Sequence, residues 1–364
     1  MKICGLFLQN RLQTPYLVQA MARIRLRDIA ERAGVSEATV SRVLNDRPGV
    51  SAPTRSAVGD AMRALGLAAP DRVRHTEGLV GLIVPELDNP IFPALAQAIE
   101  NRLAAAGFTA VLGCATQEGV DEDDYVEMLA ERGVSGIVFV SGRHADMSAD
   151  QRSYHELLAR GMPIVLVNGH HPGIDAPSVS CDDRHASRLA VAHLASLGHE
   201  RIGFVSGPQR YVVVQRKLEG FHAAMSDAGL SVDPSLVSVD AVFSVEGGHA
   251  VAPQLLGSGA TAVVAASDLI ALGVVRAANE TGLAVPADIS VVGFDDTALR
   301  AFTDPPLTTV RQPVRAMAEL AARLLIDQVR AAGPHTPQRE YLFRPELVVR
   351  GSSAPAGALA ASGR

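Results

Sequence analysis

"AERAGVSEATVSRVLND" (residues 30–46) decides how this chain is read. Two short helical patterns meet at Gly34, and the second follows directly on Ser36. Extended to "LRDIAERAGVSEATVSRVLN" (26–45), the stretch has the spacing of a helix-turn-helix. Ala30 falls where two helices cross closely and a larger side chain would push them apart. Gly34 falls where the turn needs a positive φ, which glycine adopts at low cost. Val35 and Val40 fill the small core under the turn. Ser36 is placed to cap the second helix by accepting from a free backbone N–H. Glu37, Thr39 and Arg42 keep one face of that helix polar, which an ordinary hairpin packed in a core would not do.

A second helix of this kind enters the major groove with its N-terminal residues toward base edges. Arg42 is the best base reader, because a guanidinium pairs bidentately with guanine. Glu37 can accept from cytosine N4, and Ala38 can meet a thymine methyl. Arg25, Ser36, Thr39, Ser51 and Arg55 read as phosphate contacts, which position without specifying. Asn45, at the end of the helix, completes the expected DNA-contacting set.

Charge supports this division. The 364 residues carry a net −6, yet residues 21–74 hold ten Arg against six Asp or Glu. A basic module is thus joined to an acidic body, and attraction to phosphate acts only within a Debye length of ~8 Å. No apolar run approaches the ~18 residues of a membrane span. Three widely spaced cysteines (Cys4, Cys114 and Cys181) fit a reducing compartment rather than a disulfide framework. The expected location is cytoplasmic. The N-terminal "MKICGLFLQNRLQTPYLVQA" is a poor export signal, because Asn10 and Arg11 interrupt its short apolar run. Residues 1–22 read as a disordered arm and 23–67 as the helix-turn-helix head. Residues 68–78, with Gly and Pro nearby but no apolar period, read as a hinge or linker.

From Leu79 the pattern changes. Apolar β-runs such as "LVGLIVPEL", "GIVFVSG", "PIVLVNG" and "ISVVGFDD" alternate with helical segments. Runs apolar at successive positions suit strands buried on both faces, and alternation with helices implies parallel sheets. The expected fold class is α/β: an all-α head plus two doubly wound parallel lobes. The lobes are expected at 79–168 with 312–341, and at 169–311 with 342–351. The tail 352–364 reads as disordered and lacks the heptads of a coiled-coil tetramerisation seam.

"IRLRDIAERAGVSEATVSRVLNDRPGVSAPTRSAVGDAMRALGL" resembles the head of the lac-repressor (LacI/GalR) family of bacterial transcription regulators. The likeness continues through "GLIVPELDNPIF", "LASLGHERIGFVSGP", "KLEGFHAAM", "AASDLIALGVVRAANETGLAVPADISVVGFDD" and "PPLTTVRQP", over roughly residues 23–351. It implies a homodimer on a near-palindromic operator, most often a repressor, with a body similar to periplasmic sugar-binding proteins that controls operator affinity through a small effector. One departure concerns the hinge. "AAPDRVRHTEG" is about four residues short of the usual spacing and has no Leu to wedge into the minor groove, so weak central bending is expected.

In doubly wound sheets, ligands sit beyond the carboxyl ends of the strands. The resemblance places effector contacts there at Asn89 and Phe92 after the first strand, Asn168, Lys217 and Phe243. It adds Ser267 with Asp268, Asp295, and Gln312 in a return crossover. Amide and carboxylate pairs suit hydroxyls and aromatic faces suit C–H groups, so a sugar or sugar derivative is expected. Lys217 stands where the family usually has Arg, and Ser267 where Asn is frequent; either change could signal a sugar acid. Asp296 reads as a fold residue. His170 and His171 point oppositely in extended chain and read as loop histidines, not metal ligands. Asp182, Asp183 and His185 read as turn and N-cap residues. No cofactor or metal is expected. The rival readings are a ligand-binding protein or an enzyme on the same architecture; the nucleotide, phosphate and nucleophile-elbow glycine motifs are missing.

Overall fold

The computed structural model describes residues 25–44, 49–65, 67, 77–116, 119–331 and 339–357, and the chain divides along its sequence into two compact units, 1–76 and 77–364. The first unit contains α1 (Leu26–Ala33), α2 (Glu37–Leu44) and α3 (Ala52–Ala64). Between α1 and α2 the chain turns at Gly34, whose φ of 66° is left-handed. The Val35 amide returns to the Ala30 carbonyl at 3.0 Å, closing the turn. Ile29, Ala30, Val40, Val43, Val58, Ala61 and Met62 form the buried core, and Val35 packs partly against it.

The second unit has two lobes. Its first run comprises β1 (Gly78–Val84), α4 (Ile91–Ala105), β2 (Phe108–Cys114), α5 (Glu122–Glu131), β3 (Gly136–Val140), α6 (Arg152–Ala159), β4 (Ile164–Val167) and β5 (Ser178–Cys181). The chain then forms α7 (Asp183–Ser196), β6 (Ile202–Val205), α8 (Val212–Asp227), β7 (Val237–Ser238), α9 (Val245–Gly257), β8 (Ala262–Ala265), α10 (Asp268–Glu280), β9 (Ser290–Asp295) and β10 (Thr308–Arg311). It returns through α11 (Val314–Ala331) and β11 (Glu340–Phe343), and crosses once more to β12 (Glu346–Val348).

The sheets run β11-β5-β4-β3-β1-β2 and β12-β10-β9-β8-β6-β7. All pairings are parallel except that of β12 with β10. Every residue of β3, β4, β8 and β9 is buried, because helices cover both sheet faces. Leu95, Ile99 and Leu103 of α4 join Met317, Ala321 and Leu325 of α11 in one core, while Leu129 and Leu157 belong to a separate core with Phe139 of β3. In the second lobe α9 and α10 approach so closely that a Cβ on Gly273 would collide with the Val245 carbonyl.

Three boundaries differ from the sequence reading; the return to the second lobe, expected at 342, comes after Phe343, because β11 pairs Leu342 and Phe343 with β5 of the first lobe. The crossing expected at residue 168 falls after Cys181, because β5 pairs with β4 at Leu166–Ser178 and Val167–Val179. "SVSC" alternates small polar and apolar residues, so it does not read as a buried strand, although all four residues are buried. The tail, expected to be disordered from 352, is buried at Ser352 and hydrogen-bonded as far as Ala356. Ser352 is fully buried; its Oγ donates to the Val291 carbonyl at 2.6 Å and accepts from the Thr308 amide at 2.8 Å. The Ala356 amide donates to the Leu197 carbonyl at 2.8 Å. The N-terminal arm, most of the expected hinge (68–76) and the last seven residues lie outside the described residues.

Candidate DNA-reading face and effector cleft

In the first unit, Ser36 Oγ accepts from the Thr39 amide at 3.2 Å and lies 2.9 Å from Thr39 Oγ1, so it closes the start of α2. Glu37, Ala38 and Arg42 are exposed on the helix that Val40 and Val43 anchor from beneath. Ser51 plays the same part for α3, accepting from the Thr54 amide at 3.4 Å. Arg25 is exposed before α1 and Arg55 is half-buried on α3. Asn45 lies outside the described residues. A polar face on one short helix, rigidly backed and free of internal ion pairs at Arg42 among the described residues, is suited to reading an external surface.

The second unit is built oppositely. Several of its polar residues are buried at or near the carboxyl ends of the strands, among them Asn89, Asp183, Ser267, Asp268, Asp295 and Gln312. Lys217, on α8, is 6% exposed and pairs with Asp183 at the start of α7. Its Nζ also sits 4.0 Å from the Phe294 ring centroid. Asp295, which ends β9 at a left-handed φ of 121°, accepts from Gln312 Nε2 at 2.7 Å. Asp268 accepts from Thr309 Oγ1 at 2.6 Å and from the Thr297 amide at 2.8 Å. Burial raises the Asp268 carboxyl to about 6. Burial, and then repulsion from Asp268, raise Asp295 well above the usual carboxylate range. Asn168, with φ 59° after β4, donates from Nδ2 to Ser141 Oγ at 2.7 Å.

Other expected contacts have local duties as well. Asn89 Oδ1 accepts from the Ile91 amide at 3.3 Å, and Ser267 Oγ caps α10 through the Ile270 amide at 3.2 Å. Phe92 is half-buried on the first turn of α4. Phe243 is half-buried against Gly207, where a Cβ would strike its ring. Asp296 holds Arg311 and Arg350, each at 2.6 Å. His170 is tied to Ser178 Oγ at 2.9 Å, while His171 Nδ1 accepts from the Gly173 amide at 3.1 Å. Among the described residues no group of three or more His, Cys, Asp or Glu is arranged to hold a metal ion.

Asp183 corrects the sequence reading. Asp182 does cap α7, accepting from the His185 amide at 3.0 Å, but Asp183 is a buried ion-pair partner rather than a turn residue. It was missed because the strand before it was missed: without β5, nothing marks Asp183 as standing at a strand's carboxyl end.

A contact between the lobes was also illegible. Asp146 follows β3 and accepts from Arg210 Nε, after β6, at 2.9 Å. The Met147 amide donates to the Arg210 carbonyl at 2.9 Å, and Asp146 and Tyr211 form an antiparallel bridge. The chain crosses between lobes at β5, β10 and β11. With strands ~4.8 Å apart, β3 and β6 lie two or three strands from those crossings. The lobes are thus hinged on one side and clasped on the other. Beneath the clasp, His144 is fully buried; its amide donates to Tyr154 Oη at 3.1 Å, and Tyr154 in turn donates to Glu122.

A head with an exposed helix-turn-helix face, followed by two doubly wound lobes with a polar cleft, defines a ligand-responsive DNA-binding regulator. Residues 25–68 match the family model described as "Bacterial regulatory proteins, lacI family", and residues 191–353 match a "Periplasmic binding protein-like domain". The chain is 56% identical over 337 residues to the HTH-type transcriptional regulator MalR of Streptomyces coelicolor, covering 91% of this chain and 97% of that one. It is 33% identical to the HTH-type transcriptional repressor CytR of Escherichia coli, covering 90% and 96%. The solved lac repressor dimer bound to operator and the anti-inducer ONPF superposes with a TM-score of 0.69 at 29% identity, covering 91% of this chain and 99% of that one. A transcriptional regulator CelR–cellobiose complex gives 0.68 at 31% identity, covering 91% and 100%. The chain belongs to the lacI family of bacterial regulatory proteins, and it is a DNA-binding transcription regulator. No helix among the described residues is long and apolar enough to cross a membrane.

Proposed function

We propose that the chain is a cytoplasmic repressor, without enzymatic activity, that binds a near-palindromic operator as a homodimer and changes its grip when a sugar occupies the cleft. Arg42 reads bases with Glu37 and Ala38 beside it, while Arg25, Ser36, Thr39, Ser51 and Arg55 hold phosphates, and Asn45 extends the contact. Asn89, Phe92, Asn168, Lys217, Phe243, Ser267, Asp268, Asp295 and Gln312 form the effector site.

The observation that carries this reading is the gathering of buried polar side chains where strands of both lobes end, since a ligand held there touches both lobes at once. Lobe closure on such a ligand favours one arrangement of the paired heads, and coupling is reciprocal: operator must change effector affinity by the same factor. The solved relatives support the sugar class, one holding cellobiose and another, from Enterococcus faecium, ribose. The test is selection of operators from a random duplex pool, followed by calorimetry of the effector with and without the selected duplex. A salt-sensitive preferred sequence and a shifted effector affinity are expected. Absence of any preferred duplex overturns the DNA reading, and identical effector affinity overturns the coupling.

A further inference from the structure

The cleft's unused hydrogen-bonding capacity points to the chemistry of its ligand, an inference that rests on the effector reading above. Among the described residues, three of the buried side-chain oxygens left without a hydrogen-bond partner are Asn168 Oδ1, Asp183 Oδ2 and Gln312 Oε1. They follow β4, β5 and β10, at strand carboxyl ends of both lobes. Buried polar atoms left unpaired are costly and call for a partner; Asp183 and Gln312 lie close together, since Asp295, which accepts from Gln312, also senses Asp183.

Their neighbours fix which atom is left over. Ser141 Oγ accepts from Asn168 Nδ2 at 2.7 Å and donates to the Asn168 carbonyl at 3.4 Å, and Oδ1 remains. Gln312 turns Nε2 toward Asp295 Oδ1, and Oε1 remains. Asp183 gives Oδ1 to Lys217, and Oδ2 remains. All three leftovers are acceptors. Ser206, buried and unpartnered after β6, adds a hydroxyl that can donate or accept.

The cation on the same walls is already engaged. The Lys217 ammonium is paired with Asp183 and covered by the Phe294 ring. Asp268 and Asp295 add further carboxyl groups close enough to interact with each other, and Asp295 also senses Asp183 and Lys217. An incoming carboxylate or phosphate would bring acceptors to the oxygens of Asn168, Asp183 and Gln312, and the lysine among these described residues is already paired. A polyol brings hydroxyl donors.

We propose that Asp183 is a specificity-determining residue: by pairing with Lys217 and holding Oδ2 without a partner, it makes the cleft take an uncharged polyhydroxyl ligand and reject sugar acids and sugar phosphates. The substitution of Lys217 for the Arg that the family usually carries is therefore no sign of an anionic effector.

Calorimetry on the full chain tests this with glucose, ribose, maltose and cellobiose, each beside its acid or phosphate counterpart. At least one uncharged sugar is expected to bind, with its anionic counterpart weaker by roughly 100-fold. Asp183→Asn frees the Lys217 charge, so the uncharged sugar should weaken by about tenfold and the gap to the anion should narrow. The double variant Asp183→Leu/Lys217→Met removes the pair without stranding a charge, which folded proteins tolerate well. It too should bind the uncharged sugar about tenfold more weakly. An anionic counterpart that binds wild type as tightly as the uncharged sugar overturns the inference and leaves the effector site standing. Unchanged affinity in the double variant overturns the role of Asp183. If no compound in the panel binds, the effector reading falls and takes the inference with it.

Discussion

The DNA-reading head and the effector cleft use polar side chains in opposite ways. In the head, Glu37, Ala38 and Arg42 face solvent, and a core of seven small or medium side chains holds their helix in place. In the cleft the buried side chains are paired: Lys217 with Asp183, Gln312 with Asp295, and Asp268 with Thr309. The difference teaches where each site is vulnerable. An exposed face loses function when its backing fails or its reader is cut away. A sealed cleft loses function when one partner leaves another stranded.

The largest effect should come from breaking the head's backing. Val40 is fully buried, and Val40→Asp places an unpaired charge in a very small core, at a cost of several kcal/mol. Operator affinity measured by anisotropy should fall more than ~100-fold, while effector binding by the body stays intact. Loss of both together would show that the units are not independent. Arg42→Ala should instead leave the head folded and reduce discrimination at one base position by about 1–3 kcal/mol. Arg55→Ala should weaken binding evenly across sequences, by about 1 kcal/mol. Competition between cognate and substituted duplexes separates the two outcomes.

In the body, pH sharpens the contrast. Burial depresses His144 from 6.5 to about 3, opposed by the hydrogen bond to the Val167 carbonyl. The unfolded chain takes up a proton near pH 6.5 that the folded body refuses, so this residue's contribution is lost as pH falls below that value. Between pH 7 and pH 5 the loss is about 2 kcal/mol. His144→Gln should flatten the slope of body stability against pH by that amount, whatever it does to stability at pH 7. Equal slopes in denaturant melts would contradict the burial of a neutral imidazole. Asp268, raised to about 6 by burial, acts in the other direction, since its contribution is lost as pH rises through that value.

The smallest effect belongs to the clasp. Arg210 is 39% exposed and its pair with Asp146 is partly screened, so Asp146→Ala should cost no more than about 1 kcal/mol. It should appear as a few-fold faster release of effector in stopped-flow measurements, with little change in operator binding by the unliganded protein.

Much of this was legible along the chain. Ala30, Gly34, Ser36, Val40 and Arg42 carry the helix-turn-helix because a turn, a cap and a crossing each demand a particular residue at a fixed spacing. Apolar runs fixed β1, β3, β4, β8 and β9 because strands covered on both faces have no polar side to hide. β5 escaped that logic: "SVSC" is buried by the helices around it, not by its own hydrophobicity. With it went Asp183 and the true lobe crossing.

The sequence by itself determined the two kinds of unit and the positions that read outward, since these depend on local spacing and on contrasts between neighbours. Only the tertiary structure decided which polar groups inside the cleft are already paired and which oxygens wait for a donor. Asp183 and Lys217 are 34 residues apart, and Asp146 and Arg210 are 64 apart. Pairings at that separation arise from how two sheets face each other, and no periodicity along the chain encodes them.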